Sequence, residues 1–327
     1  MRATPHRVTI PRRHSYRASA NPATAADGSP MTRSPVPSTD GTDHRGSPPP
    51  DFVAPVLRYV ASDGTDDAGK HAQPFSVLLI HGQPGSALIW TRLLPLLRGR
   101  GLRSLAVDRP GYGRTSGAAV DQFANAAAVA HLLDEQRSPA VIVGHSLGAG
   151  IALALAANAP QHVRALVLVA PAVGAQSITI TDRLLAAPIL GPSLIWFGFR
   201  ALGLALHLAP LRSRVLTKRV GLSAGDSKEV VRRITYGNTW RSFIVEQRHL
   251  VADAVRLRDQ IRRIDCPVLI VAGSRDRIAT AGVVSALSKQ LPGAEVTMTN
   301  TGHLIPIDDP EAVASAVQSA VRRSGDG

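Results

Sequence analysis

Apolar and polar positions change rhythm along this chain. Residues 1–50 carry no period: Pro, Ser, Thr, Ala and Arg mix without a recurring apolar position and run out in Ser47-Pro48-Pro49-Pro50. A stretch of that kind cannot bury enough surface to offset its ordering entropy and is expected to be a disordered tail. From residue 52, short β-branched runs alternate with longer stretches of helical period. The runs at 55–60, 75–80, 103–107, 140–143, 164–169, 268–271 and 295–298 predict strands. The stretches at 87–98, 121–135, 147–157, 279–290 and 311–322 predict crossover helices. Several of the strand runs are almost continuously apolar, as parallel strands covered on both faces require. The pattern therefore predicts an α/β fold with a mostly parallel central sheet flanked by helices.

The alternation fails between residues 174 and 263. Roughly 90 residues exceed any ordinary connection in a compact domain, and their helix-like period predicts a helical cap inserted between two core segments, 51–173 and 264–327. Within it, 189–210 is apolar apart from Ser193, Arg200 and His207 and holds Trp196, Phe197 and Phe199. Gly191-Pro192, Gly198, Arg200 and Gly203 interrupt a transmembrane reading. The segment is expected instead to line a pocket, with Trp196, Phe197 and Phe199 as candidates alongside Trp90 from the first crossover.

Composition narrows the function classes. The chain has 327 residues, 44% hydrophobic, enough for a sizeable core. Its formal charge of +13 sits almost wholly in two places, with 15 Lys and Arg against 6 Asp and Glu in 181–263, and 7 against 3 in 1–50. Those basic residues lack interleaved aromatics and any nucleic-acid motif, so no nucleic-acid partner is expected. A solvated face is the plain reading of the basic cap; weak association with a membrane surface, or an anionic substrate group, is the partner reading it leaves open. Cys266 is the only cysteine, so no internal disulfide is called for and a cytoplasmic location is expected. Arg12-Arg13 is followed by polar His14-Ser15-Tyr16-Arg17 rather than by the apolar segment of an export signal. The acid-free run before Asp27 mimics a transit peptide, and a true start near Met31 explains it equally well.

Chemistry concentrates in Val141-Ile142-Val143-Gly144-His145-Ser146-Leu147-Gly148-Ala149-Gly150. A buried strand that turns at once into a helix forces the residue at the turn into a strained conformation, and small neighbours let the backbone pass. Ser146 would be lifted to the end of the sheet, with the Leu147 N–H at the helix start facing a developing oxyanion. A hydroxyl nucleophile needs a base. His303, in Thr301-Gly302-His303-Leu304-Ile305-Pro306 after the last predicted strand, is the candidate. Asp276, a few residues beyond the strand run 268–271, is the acid expected to orient it. Asp308 and Asp309 read as caps of the final helix.

His81-Gly82-Gln83-Pro84-Gly85-Ser86 ends one predicted strand and opens a helix. With this loop the chain resembles the α/β-hydrolase superfamily, over roughly residues 53–323 and with four motifs in order. The resemblance implies that Gln83 contributes its N–H to an oxyanion hole together with Leu147, that His81 steadies the loop, and that Asp108 in Asp108-Arg109-Pro110-Gly111-Tyr112-Gly113-Arg114-Thr115 is structural. It implies a serine hydrolase needing no metal or organic cofactor, acting on a small-molecule acyl substrate, foremost a carboxylic ester. Ser146 stands where dehalogenases and epoxide hydrolases of the superfamily are expected to carry Asp. C–C bond hydrolysis, cofactor-free perhydrolase chemistry and a slow-turnover ligand receptor on the same scaffold remain open at this level.

Overall fold

The computed structural model describes residues 57–62, 75–136 and 139–325; the expected tail lies outside them. Seven strands form one sheet: β1 Arg58–Ala61, β2 Val77–Ile80, β3 Ser104–Asp108, β4 Ala140–His145, β5 Val163–Val169, β6 Val268–Gly273 and β7 Glu295–Thr299. Their spatial order is β1-β3-β2-β4-β5-β6-β7. Only β1 is antiparallel to its neighbour, and the other pairs run parallel. The apolar runs are continuous because alternate residues serve two cores. Val77 and Leu79 join one cluster with Leu93, Leu97 and Val317, while Leu78 and Ile80 join another with Val129, Leu133 and Ile151. Full burial of each such side chain is worth about 1.5–3 kcal/mol.

The helices on the two faces are α1 Leu93–Gly99, α2 Gln122–Gln136, α3 Leu147–Asn158, α9 Ala281–Ser288, α10 Ile305–Asp308 and α11 Pro310–Gly325. The first crossover departs from the single helix expected over 87–98. A 3-10 turn, Ala87–Trp90, is capped by the Ser86 hydroxyl and precedes α1. Pro95 explains the break: it has no N–H for the carbonyl four residues back, and it is tolerated only in a helix's first turn. Asp309 caps α11, its carboxylate accepting from Ala312 N–H at 3.1 Å. Asp308 instead ends α10 and pairs with Arg219 at 3.1 Å.

Between β5 and β6 lies the helical insertion: α4 Ile180–Ala186, α5 Leu190–His207, α6 Ala209–Arg212, a π-helical stretch Ser213–Val220, α7 Ala224–Tyr236 and α8 Thr239–Gln260. No single described helix is long and apolar enough to cross a membrane.

The strand order places the functional crevice. From β2 the chain crosses to β3 on one side, then returns past β2 to β4 on the other. The connections leaving the C-terminal ends of β2 and β4 therefore diverge, and a crevice opens there. Ile80 pairs in register with Gly144, so the two segments that follow, 81–86 and 145–148, emerge side by side.

Candidate active site

Ser146 occupies the turn between β4 and α3 with φ 55° and ψ −118°. A non-glycine residue held there costs of order 1–3 kcal/mol, tolerable only where the surroundings over-determine it. They do so here. The Ser146 N–H donates to Val169 O at 2.9 Å, and the helix behind it packs tightly on β2. A Cβ on Gly148 would lie 2.4 Å from Ile80 O, and one on Gly82 would lie 2.8 Å from the Ser146 Cβ. Both positions are glycine because backbone passes where a side chain would stand.

The three residues expected to act together are brought together. His303 Nε2 lies 2.9 Å from Ser146 Oγ, and His303 Nδ1 lies 2.8 Å from Asp276 Oδ2. The other oxygen of Asp276 accepts from the N–H groups of Ile278 at 2.8 Å and Ala279 at 3.0 Å. Burial works against the Asp276 charge, but the His303 partner and these N–H donors outweigh it and hold the carboxyl below its ordinary range. An ionised Asp276 fixes the proton on Nδ1 and leaves Nε2 as acceptor for the serine hydroxyl. His145 steadies the arrangement from beneath, its Nε2–H donating to His303 O at 2.9 Å. Burial, then the neighbouring His303, pushes His145 down to about 4, so it is neutral at physiological pH.

The loop after β2 is held by His81, as expected, and by an Arg109–Glu246 pair that sequence reading missed. His81 is fully buried, and its Nε2 accepts from Arg109 N–H at 3.1 Å. The proton is then on Nδ1, which donates to Gly82 O at 2.7 Å. Burial, reinforced by Arg109, holds its pKa well below the ordinary value. The Arg109 side chain donates to His81 O at 3.0 Å and Gly82 O at 3.1 Å, and it forms a buried ion pair with Glu246 of α8. Tyr112 OH donates to the same carboxylate at 2.8 Å. Arg109 lies within the 108–115 turn already singled out, so a signal existed. Glu246 offered none beyond being an acid in a basic stretch. A second link joins the loop to the insertion: Gln83 Nε2 donates to Gln247 Oε1 at 2.5 Å, and Gln247 Nε2 donates to Asp182 Oδ1 at 3.1 Å. Leu147 is the first residue of α3, so its N–H has no carbonyl one turn back to bond. Asp108 buttresses the loop, accepting from Ala87 N–H and Arg114 N–H, each at 2.8 Å.

A cavity of about 480 Å³ lies between the segment 84–89 and the insertion. Its wall includes Pro84 and Leu304, the chain neighbours of Gln83 and His303, together with apolar Leu88, Phe199, Leu216 and Ile234. Ser146 and His303 are not themselves part of that wall. Of the four aromatic residues expected to line a pocket, Phe199 does so. Trp90 does not: it ends the 3-10 turn fully buried in the core, with its ring perpendicular to that of His145. Trp196 and Phe197 meet edge-to-face outside the cavity, Phe197 being 66% exposed. Helical geometry accounts for Phe197, which lies two positions from Phe199 and so points to the other side of α5; Trp196 instead packs on Phe197 and under the Arg200 guanidinium.

Comparison with known proteins bears on the whole arrangement. A family model described as the alpha/beta hydrolase family matches residues 77–316. The lipase LipV of Mycobacterium tuberculosis is 43% identical over 122 residues, 35% of this chain and 45% of that protein. A pimeloyl-[acyl-carrier protein] methyl ester esterase of Neisseria meningitidis serogroup C is 31% identical over 249 residues, 75% of this chain and 93% of the esterase. Among solved structures, the haloalkane dehalogenase DbeA from Bradyrhizobium elkani superposes with a TM-score of 0.62 at 21% identity, covering 84% of this chain and 98% of that one. At that identity the likeness is one of fold alone.

Proposed function

The chain belongs to the alpha/beta hydrolase family, and from that premise we propose that it is a serine esterase in which Ser146, His303 and Asp276 act as nucleophile, general base and orienting acid. The observation that carries the reading is the relay of 2.9 Å and 2.8 Å contacts that ends on a serine held at φ 55°. His303 Nε2 takes the Ser146 proton as Oγ attacks the ester carbonyl, and the N–H groups of Gln83 and Leu147 receive the oxyanion. Collapse expels the alcohol, which leaves with the proton from Nε2. Water then loses a proton to the same nitrogen and attacks the acyl-enzyme; as the second adduct collapses, Nε2 returns that proton to the departing Ser146 Oγ and the acid is freed. The insertion acts as a cap, and the cavity behind Pro84 and Leu304 takes a small to medium apolar acyl group. Its volume falls within the usual ligand-pocket range of about 300–1,000 Å³.

The test has two arms. A fluorophosphonate probe labels the wild-type chain and fails to label Ser146→Ala; labelling that survives the substitution refutes the nucleophile. Across p-nitrophenyl esters of increasing acyl length, Leu88→Trp shifts the optimum toward shorter chains. An unchanged length profile refutes the acyl cavity and leaves the triad standing.

A further inference from the structure

Helix α5 has two apolar faces, and the fold uses one. Gly191, Ile195, Gly203 and Leu206 are buried. A Cβ on Gly203 would lie 2.2 Å from Thr235 Oγ1, so α5 and α7 approach closely along that side. The opposite face is in solvent. Leu190, Leu194, Phe197, Ala201, Leu204 and Leu208 are exposed, and their spacing of four and three residues in alternation draws one straight stripe along the helix. Further exposed apolar side chains lie in α4 and in the connection behind it, where Ile180 is 86% and Ile189 82% exposed. Of the sixteen large apolar side chains exposed among the described residues, ten fall between 180 and 211. Singly exposed apolar residues need no explanation, but a contiguous patch marks a surface that meets something.

Charge identifies what it meets. Residues 178–222 contain six Lys and Arg and a single acid, Asp182, whose carboxylate is engaged by Thr179 and Gln247. A guanidinium stands at each end of α5: Arg248 donates to Pro188 O at 3.5 Å and Arg212 to His207 O at 3.2 Å. Arg183, Arg214 and Lys218 form no ion pair among the described residues. A second copy of the chain would bring this basic rim against itself and be repelled. An anionic lipid surface would accept both the apolar stripe and its rim. The geometry is that of a helix lying in the interface rather than crossing it: α4 and α5 meet at 100°, and the inner face of α5 is already committed to its neighbours.

We infer that the outer face of α4 and α5 is an interfacial docking surface for anionic lipid bilayers, with the stripe seated at the acyl boundary and the arginines among the headgroups. The inference stands apart from the ester reading, because it concerns attachment and not turnover.

The test is co-sedimentation of the full chain with phosphatidylcholine vesicles and with phosphatidylcholine–phosphatidylglycerol vesicles, at low and high salt. Binding is expected to the anionic vesicles, to weaken with salt, and to fall at least about tenfold in the triple variant Leu194→Glu/Phe197→Glu/Leu204→Glu. Phe197→Trp keeps the stripe apolar and is expected to bind as wild type, with its added indole emission shifting to the blue on vesicles. Because the substituted side chains point into solvent, thermal midpoints are expected to match wild type. Absence of binding to either vesicle, or binding that the triple variant retains, overturns the proposal. Concentration-dependent dimerisation abolished by the triple variant would assign the stripe to a second copy and overturn it as well.

Discussion

Substituting Glu246 by leucine tests how the insertion governs the crevice. The side chain keeps its volume, so little cavity forms, but Arg109 is left charged and fully buried. Losing one partner of a buried pair typically costs about 3–5 kcal/mol. Here the lower end applies, because the guanidinium keeps its bonds to His81 O and Gly82 O. Tyr112 loses the acceptor of its buried hydroxyl, adding about 1 kcal/mol. A total near 4 kcal/mol, at about 2 °C per kcal/mol for a domain of this size, lowers the thermal midpoint by ~8 °C. Activity should fall too. One of the two carbonyls that Arg109 clamps, Gly82 O, belongs to the same peptide group as the Gln83 N–H, and one oxyanion donor is worth ~10²–10³ in rate. Partial misplacement is expected to lower kcat about tenfold with a smaller change in KM. The assays are scanning calorimetry and steady-state ester hydrolysis. The double variant Arg109→Leu/Glu246→Leu is expected to be more stable than Glu246→Leu alone, since an apolar pair leaves no charge stranded. A Glu246→Leu protein with wild-type midpoint and kcat would refute the reasoning, because Arg109 would then be shown not to depend on the carboxylate.

Three further outcomes are expected. Asp276→Asn should leave the fold intact and lower kcat by ~10⁴, because an amide no longer fixes the His303 tautomer; a loss below about tenfold in ester turnover would count against that role. Gly82→Ala should abolish activity and destabilise, since its Cβ would lie 2.8 Å from that of Ser146 and 3.0 Å from His145 O; wild-type turnover would contradict the packing. The third concerns pH. His145, held to about 4 chiefly by burial, protonates in the unfolded chain near 6.5, so between those values the unfolded state binds more protons and stability rises with pH. Asp253 runs the other way: burial raises it to about 7, the folded state holds the extra proton above ~4, and stability falls as pH rises toward 7. Asp253→Asn, which can still accept from Gln122 N–H, should therefore give a midpoint that climbs more steeply than wild type from pH 4 to 7 and lies above it at pH 8. Parallel melting curves would refute the assignment.

The periodicity reported the elements well because both faces of the sheet are covered. Val77 through Ile80 read as one apolar run and pack alternately into two cores, so burial writes each strand directly into composition. Ser146, Asp276 and His303 were legible for a related reason: each follows a strand or opens a helix, and the turn chemistry at such junctions is local. What sequence could not decide is whatever depends on distant segments meeting. Glu246 lies 137 residues from Arg109, and nothing near either names the other. Trp90, Trp196, Phe197 and Phe199 are chemically alike, and only the packing of their helices sent Trp90 to the core, Phe197 to the surface and Phe199 to the cavity, leaving Trp196 half-buried against Phe197 and Arg200. The exposed stripe on α5 is the sharpest case. Its two apolar faces are equivalent along the chain, and only packing against α7 and α8 consumed one of them and left the other facing out.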